Sequence, residues 1–149
     1  MKNLILNIIL IVSLLIYVSC DNETRSSEKT NVNRLYLIEN ALLNYIMNDS
    51  IEQAFVIPNE GCGGCISNAT NYVYNNIDTL SNSIIIFTKV RDKKLLKNQL
   101  GDTFLSRKNV FIDKKNFASI DLNTIYPKIY TLKNRKVVDE NTIDVENLK

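Results

Sequence analysis

Gln53-Ala54-Phe55-Val56-Ile57-Pro58-Asn59-Glu60-Gly61-Cys62-Gly63-Gly64-Cys65 is the stretch from which the rest of the chain can be read. Gln53 to Ile57 is a short apolar run, as a buried strand requires, and Pro58 closes it. Pro58 to Gly61 reads as a loop. From Cys62 to about Asn76 apolar positions return at helical spacing, with Cys65 or Ile66, Ala69, Tyr72 or Val73, and Ile77 on one face. Two cysteines three apart at a helix start have Cα atoms about 5–6 Å apart and can be bridged without moving the backbone. The leading cysteine sits where the first helical N–H groups have no partner and the helix dipole is positive, and both stabilise a thiolate. Cys62 is therefore the expected nucleophile of thiol–disulfide exchange, and Cys65, one turn in, the resolving thiol. Gly63 and Gly64 put no side chain in the way of a partner's sulfur and are expected to border the substrate. Each weakens the first turn by roughly 1 kcal/mol relative to Ala.

Other uses of such a pair stay open at this stage. A structural zinc needs four ligands, and the chain has three Cys and no His, so a zinc site would need ligands from another molecule and no metal is expected. A plain structural disulfide across so short a loop constrains the unfolded chain very little, which favours redox use. An inert pair in a domain kept for binding is the remaining alternative.

Working outward, Leu35, Ile38, Leu42, Tyr45 and Ile46 recur at helical spacing, predicting a helix to about Asn48. Ser83-Ile84-Ile85-Ile86-Phe87-Thr88 is too apolar to be exposed on either face and reads as a buried strand. Arg91 to Leu100 reads as a charged amphipathic helix closed by Gly101, and Val110-Phe111-Ile112 as a weaker strand. Ile129 to Leu132 and Lys136 to Val138, separated by Lys133-Asn134-Arg135, read as a hairpin. Strand, helix, strand, helix and hairpin predict an α/β fold: a central sheet with helices on both faces and a C-terminal β-hairpin.

At 149 residues the chain suits one domain once a targeting segment is set aside. The formal charge of +2 is too small to argue for nucleic acid as a partner. The absence of His excludes Ser-His-Asp and Cys-His catalysis. Leu4 to Val18 is almost uninterrupted apolar sequence, at about fifteen residues short for a membrane span and suited to the core of a signal peptide. Asp21 to Asn33 is polar and reads as a flexible tether.

Two resemblances follow. Tyr17-Val18-Ser19-Cys20, after that apolar run, resembles the lipobox of bacterial lipoproteins, with Tyr17 where Leu is commonest. It implies residues 1–19 as signal peptide, Cys20 as lipidated, residues 20–33 as tether and 34–149 as the domain. It also implies an extracytoplasmic place in the cell envelope, with the membrane as a partner through the lipid. An uncleaved anchor and ordinary signal cleavage are the alternatives. With Cys20 lipidated, the odd third cysteine is explained and Cys62 and Cys65 remain as one pair.

Phe55-Val56-Ile57, a loop, Cys62-Gly63-Gly64-Cys65 and a helix resemble the strand–Cys-x-x-Cys–helix of the thioredoxin superfamily. Tyr126-Pro127 before Ile129 to Leu132, and the hairpin after it, resemble that family's cis-proline loop and terminal hairpin. The resemblance covers roughly Ile51 to Val138 and looks most like the membrane-tethered, extracytoplasmic branch. It implies Pro127 beside the disulfide, Tyr126 offering its backbone to substrate, and protein thiols or disulfides and a redox partner as the molecules met, with no cofactor. A strand-start proline is the ordinary alternative for Pro127. Gly61 stands where thioredoxins carry Trp, the strand before the motif lacks their buried acid, and a closing helix would have to fit into Asn141 to Lys149.

Other candidates are weaker. Glu60 is a solvated charge or a proton shuttle; Lys89 follows the strongest strand, at the sheet end where sites tend to lie, or is a solvated lysine; Arg91, Lys93, Lys94 and Lys97 form a solvated helix face. Tyr72, Tyr74 and Tyr126 are candidates to line a groove near the pair, with Tyr72 at helical spacing also reading as core. Two functions from different classes remain: a thiol–disulfide oxidoreductase, and a non-catalytic thioredoxin-like binding module at the membrane.

Overall fold

The computed structural model describes residues 22–114, 117 and 125–143, with side chains from residue 33 onward. The expected signal peptide, Cys20 and the tail beyond Ile143 lie outside these residues. The chain divides into Met1–Leu35 and Tyr36–Lys149, and the architecture below is that of the second unit.

The elements in order are α1 (Asn22–Leu43), β1 (Gln53–Pro58), α2 (Gly63–Asn75), β2 (Ser83–Thr88), α3 (Lys93–Leu100), α4 (Asp102–Leu105), β3 (Val110–Ile112), β4 (Lys128–Lys133) and β5 (Lys136–Thr142). They build a mixed α/β fold on one five-stranded sheet in the order β3-β2-β1-β4-β5. β1, β2 and β3 are parallel, β4 runs antiparallel to β1, and β5 antiparallel to β4. β1 is central, so its end is flanked by β2 on one side and β4 on the other.

The apolar runs explain this order. Ala54, Val56, Ile84, Ile86, Tyr130 and Leu132 face one layer, with Ile38, Ala41 and Leu42 of α1 packed over them. Phe55, Ile57, Ile85 and Phe87 face the other, under Ala69 and Val73 of α2, Leu96 and Leu100 of α3, and Phe104 of α4. Alternation of period two places neighbours such as Ile84 and Ile85 in opposite layers, and both are buried because both faces are covered. Each fully buried side chain of this kind stabilises by about 1.5–3 kcal/mol relative to leaving it exposed.

Several expectations are corrected. The segment from Asn22 to Asn33, read from the sequence as part of a flexible tether, lies within helix α1, and no Gly or Pro interrupts the chain from there to Leu43. The same helix ends at Leu43 rather than Asn48, because the Asn44 amide donates to the carbonyls of Asn40 (3.0 Å) and Ala41 (3.2 Å). Tyr45 and Ile46 stay buried, but in the turn that follows. α3 begins at Lys93 because Asp92 caps it, its carboxylate accepting from the N–H groups of Lys94 (2.8 Å) and Leu95 (3.2 Å). Gly101, at φ 78°, ends α3 as expected and also starts the short α4, which the sequence did not announce.

The hairpin turn is Asn134-Arg135, with both residues at positive φ (52° and 64°), as a two-residue turn matching strand twist requires. Arg135 is held there by donating to the carbonyl of Ile46 at 3.2 Å.

Candidate redox site

β1 delivers the chain to the site. Pro58 is buried at its end, and the Asn59 N–H donates to the Thr88 carbonyl at 2.8 Å, tying the loop to the end of β2. Gly61 then takes φ 141°, in the region that favours glycine, and lies against the backbone of Ile125. The Cys62 N–H donates to the Ile125 carbonyl at 2.9 Å, so the segment leading into β4 closes on the first cysteine.

Cys62 is the N-cap of α2 and has extended φ and ψ (−68°, 97°). Its carbonyl accepts from the N–H of Ile66 at 2.9 Å, and its Sγ accepts from the N–H of Cys65 at 3.4 Å. A sulfur here satisfies one of the helix's orphan donors and sits at the positive end of the dipole. Cys62 and Cys65 form a disulfide with Cα atoms 5.3 Å apart. Both are half-buried, whereas Gly63 and Gly64 are exposed. An added Cβ at either glycine would meet nothing within 4 Å, so the approach over the Gly-Gly segment is open.

Tyr126 and Ile125 are 44% and 47% exposed, which makes them an apolar lip beside Cys62. Pro127 is buried at the entrance to β4, where its carbonyl accepts from the N–H of Ile143 at 2.9 Å. No peptide bond among the described residues is cis, so the bond between Tyr126 and Pro127 is trans and the expected cis-proline loop is corrected. Trans is the lower-energy state of an X–Pro bond by about 0.5–1 kcal/mol, and a proline entering a strand loses no ladder hydrogen bond.

The other candidates are dispersed. Tyr72 packs on Phe55, with ring centroids 6.1 Å apart, and belongs to the packing of α2 on the sheet. Tyr74 packs against Phe104 with tilted rings 5.2 Å apart, near the C-terminal end of α2. At 1.5 Å per residue that is on the order of 18 Å from Cys62, so Tyr74 lines no groove there. Glu60 is ion-paired with the Arg91 guanidinium, with Nη2 donating to Oε2 at 3.0 Å. Arg91 thus precedes α3 rather than joining its solvated face. Ile125 carries no sequence signal of its own for a place at the site. Only the glycine immediately before Cys62 hinted that another backbone comes close.

Among the described residues no group of three or more Cys, Asp or Glu side chains gathers as a metal site would require. No helix among them is long and apolar enough to cross a membrane. Compared with family models, curated proteins and solved structures, the chain matches none. What fold and site define is therefore a class only: an α/β domain with a Cys-x-x-Cys disulfide at the N-terminus of the helix that follows its central strand.

Proposed function

We propose that this chain is a thioredoxin-like thiol–disulfide oxidoreductase, tethered to the outer side of a bacterial membrane by a lipid on Cys20 and acting on cysteines of proteins or peptides. The observation that carries the reading is the half-buried Cys62–Cys65 disulfide at the start of α2, with open space over Gly63 and Gly64. Supporting it, the parallel β1–α2–β2 unit and the antiparallel β4–β5 hairpin flank one central strand. The loop at Ile125 to Pro127 also approaches the leading cysteine.

In the reducing direction, the Cys62 thiolate attacks one sulfur of a substrate disulfide. That disulfide breaks, and one substrate sulfur leaves as a thiolate. Cys65, as thiolate, then attacks Cys62 Sγ; the second substrate sulfur leaves, and the pair ends oxidised by two electrons. Protons released by the two enzyme thiols go to the two substrate thiolates. The orphan N–H groups of α2 stabilise the Cys62 thiolate.

Cys62→Ser is expected to abolish reduction of insulin disulfides, and Cys65→Ser to accumulate mixed disulfides that reductant releases. If neither purified variant differs from the parent, the reading is wrong. Cys20→Ala should move the protein out of the membrane fraction; retention there would remove the lipid anchor from the proposal.

A docking module with an inert disulfide is a second reading. It is favoured by the apolar Phe55, Val56 and Ile57 under the motif and by Glu60 being engaged with Arg91, which leaves no unengaged carboxylate beside the pair among the described residues. The same insulin assay separates the two.

A further inference from the structure

The rim of the site on the β2 side is basic. The bond from Asn59 N–H to the Thr88 carbonyl places Lys89 beside the loop that leads to Cys62, and Glu60, two residues before that cysteine, is engaged by Arg91. Beyond Arg91 the chain enters α3 through Asp92, whose carboxylate is occupied as the cap. Lys89, Lys93 and Lys94 are exposed, and none of them has a carboxylate partner among the described residues. α2 carries no charged side chain from Gly63 to Asn75. Among the described residues, four cations against two engaged carboxylates therefore leave this lip net positive, and nothing on α2 offsets it.

Two local rules are broken to keep it so. Lys89 holds a left-handed backbone (φ 54°), which a non-glycine residue adopts at a cost. Lys93 and Lys94 occupy the first turn of α3, where cations oppose the helix dipole, and that turn holds no acid. Departures of this kind gather where function requires them.

We infer that the substrate of this site carries carboxylates next to its reacting cysteine, on the side that meets Lys89, Lys93 and Lys94. The inference rests on the redox reading above and specifies its substrate class. Attraction across the lip raises the encounter rate of an acidic segment and repels a basic one, and salt screens both effects. The apolar lip at Ile125 and Tyr126 lies on the other side of Cys62, so the charge preference belongs to one flank of the substrate.

The test uses the reduced full chain and three self-quenched peptide dimers, each joined by one disulfide. Their cysteines are flanked by two Asp, two Ser or two Lys. Cys62 attacks a dimer sulfur and releases one peptide thiolate; Cys65 then displaces the second, and fluorescence reports both. At low salt the Asp dimer should react at least about tenfold faster than the Lys dimer, narrowing to under about threefold near 0.5 M salt. Lys89→Glu combined with Lys93→Glu should invert the ratio. The comparison on the parent chain needs no variant. Equal Asp and Lys rates at low salt, or a preference for Lys, overturn the inference while leaving the redox reading standing. If none of the three dimers is cleaved, the redox reading falls, and the inference with it.

Discussion

The Cβ that Gly61 lacks would stand 2.4 Å from the carbonyl oxygen of Ile125 and 2.7 Å from its Cα. Those are backbone atoms, which cannot swing aside as the end of a side chain can. The same carbonyl accepts from the Cys62 N–H, so close approach and hydrogen bond form one junction between the cysteine loop and the entry to β4. Gly61, the residue before the first cysteine, thus leaves its place to the backbone of another segment.

Gly61→Ala is therefore expected to cost about 2 kcal/mol or more, combining a backbone conformation unsuited to Ala with the collision at Ile125. Urea unfolding checks it. A loss below about 0.5 kcal/mol would mean that the junction opens freely and does not fix the loop.

Gly63 and Gly64 predict the opposite sign. Both have open space where a Cβ would go, and both lie in the first turn of α2. Gly63→Ala and Gly64→Ala should each raise stability by up to about 1 kcal/mol. If those glycines serve to admit a partner's sulfur, the same variants should slow insulin reduction severalfold. Denaturation midpoints and turnover on the same samples separate the effects, and a gain in both would show that the open approach is not needed for exchange.

Much of the framework was legible because it is written in local patterns. Ser83 to Thr88 is apolar at every central position, which only a strand covered on both faces tolerates, and it is β2 as expected. Asn134 and Arg135 between two apolar strands became the hairpin turn. The misses have a different physical origin. The Asn44 amide that ends α1 is one polar residue among several, and Gly101 serves two helices at once. The Cys62–Cys65 disulfide was legible because the bond needs only a spacing within one helix turn. The Ile125 carbonyl was not, since a backbone acceptor brought in from far along the chain has no side-chain signature. Tyr126-Pro127 reads as a cis-proline loop, with a strand-start proline as the alternative, and the trans bond at the entrance to β4 agrees with the alternative.

Asp92 caps α3 with two hydrogen bonds, and the lysines that follow it leave the helix dipole otherwise uncompensated. Asp92→Ala should cost about 1 kcal/mol, within the usual range of roughly 0.5–2 for a lost N-cap. Asp92→Asn, which keeps an acceptor, should recover most of it. Thermal unfolding of the three proteins at low and high salt distinguishes cap from charge. Salt should narrow the gap between Asp and Asn and leave the deficit of Ala largely in place.

Ile84 and Ile85 are adjacent, both almost fully buried, and face opposite layers of the sheet. Truncating either to Ala removes similar volume and should cost about 2–5 kcal/mol, the ordinary penalty for an unfilled core site. The consequences for the site should nevertheless differ. Ile85 shares its layer with Ala69 and Val73 of α2, the helix whose first turn holds the cysteines, whereas Ile84 shares its layer with Ile38 and Leu42 of α1. Close-packed layers transmit a local void to the elements resting on it. Under conditions where both variants remain folded, Ile85→Ala should therefore alter the alkylation rate of reduced Cys62, and Ile84→Ala should leave it within about twofold of the parent. Equal effects on alkylation from the two truncations would mean that the sheet, rather than the packing beneath α2, sets the geometry of the pair.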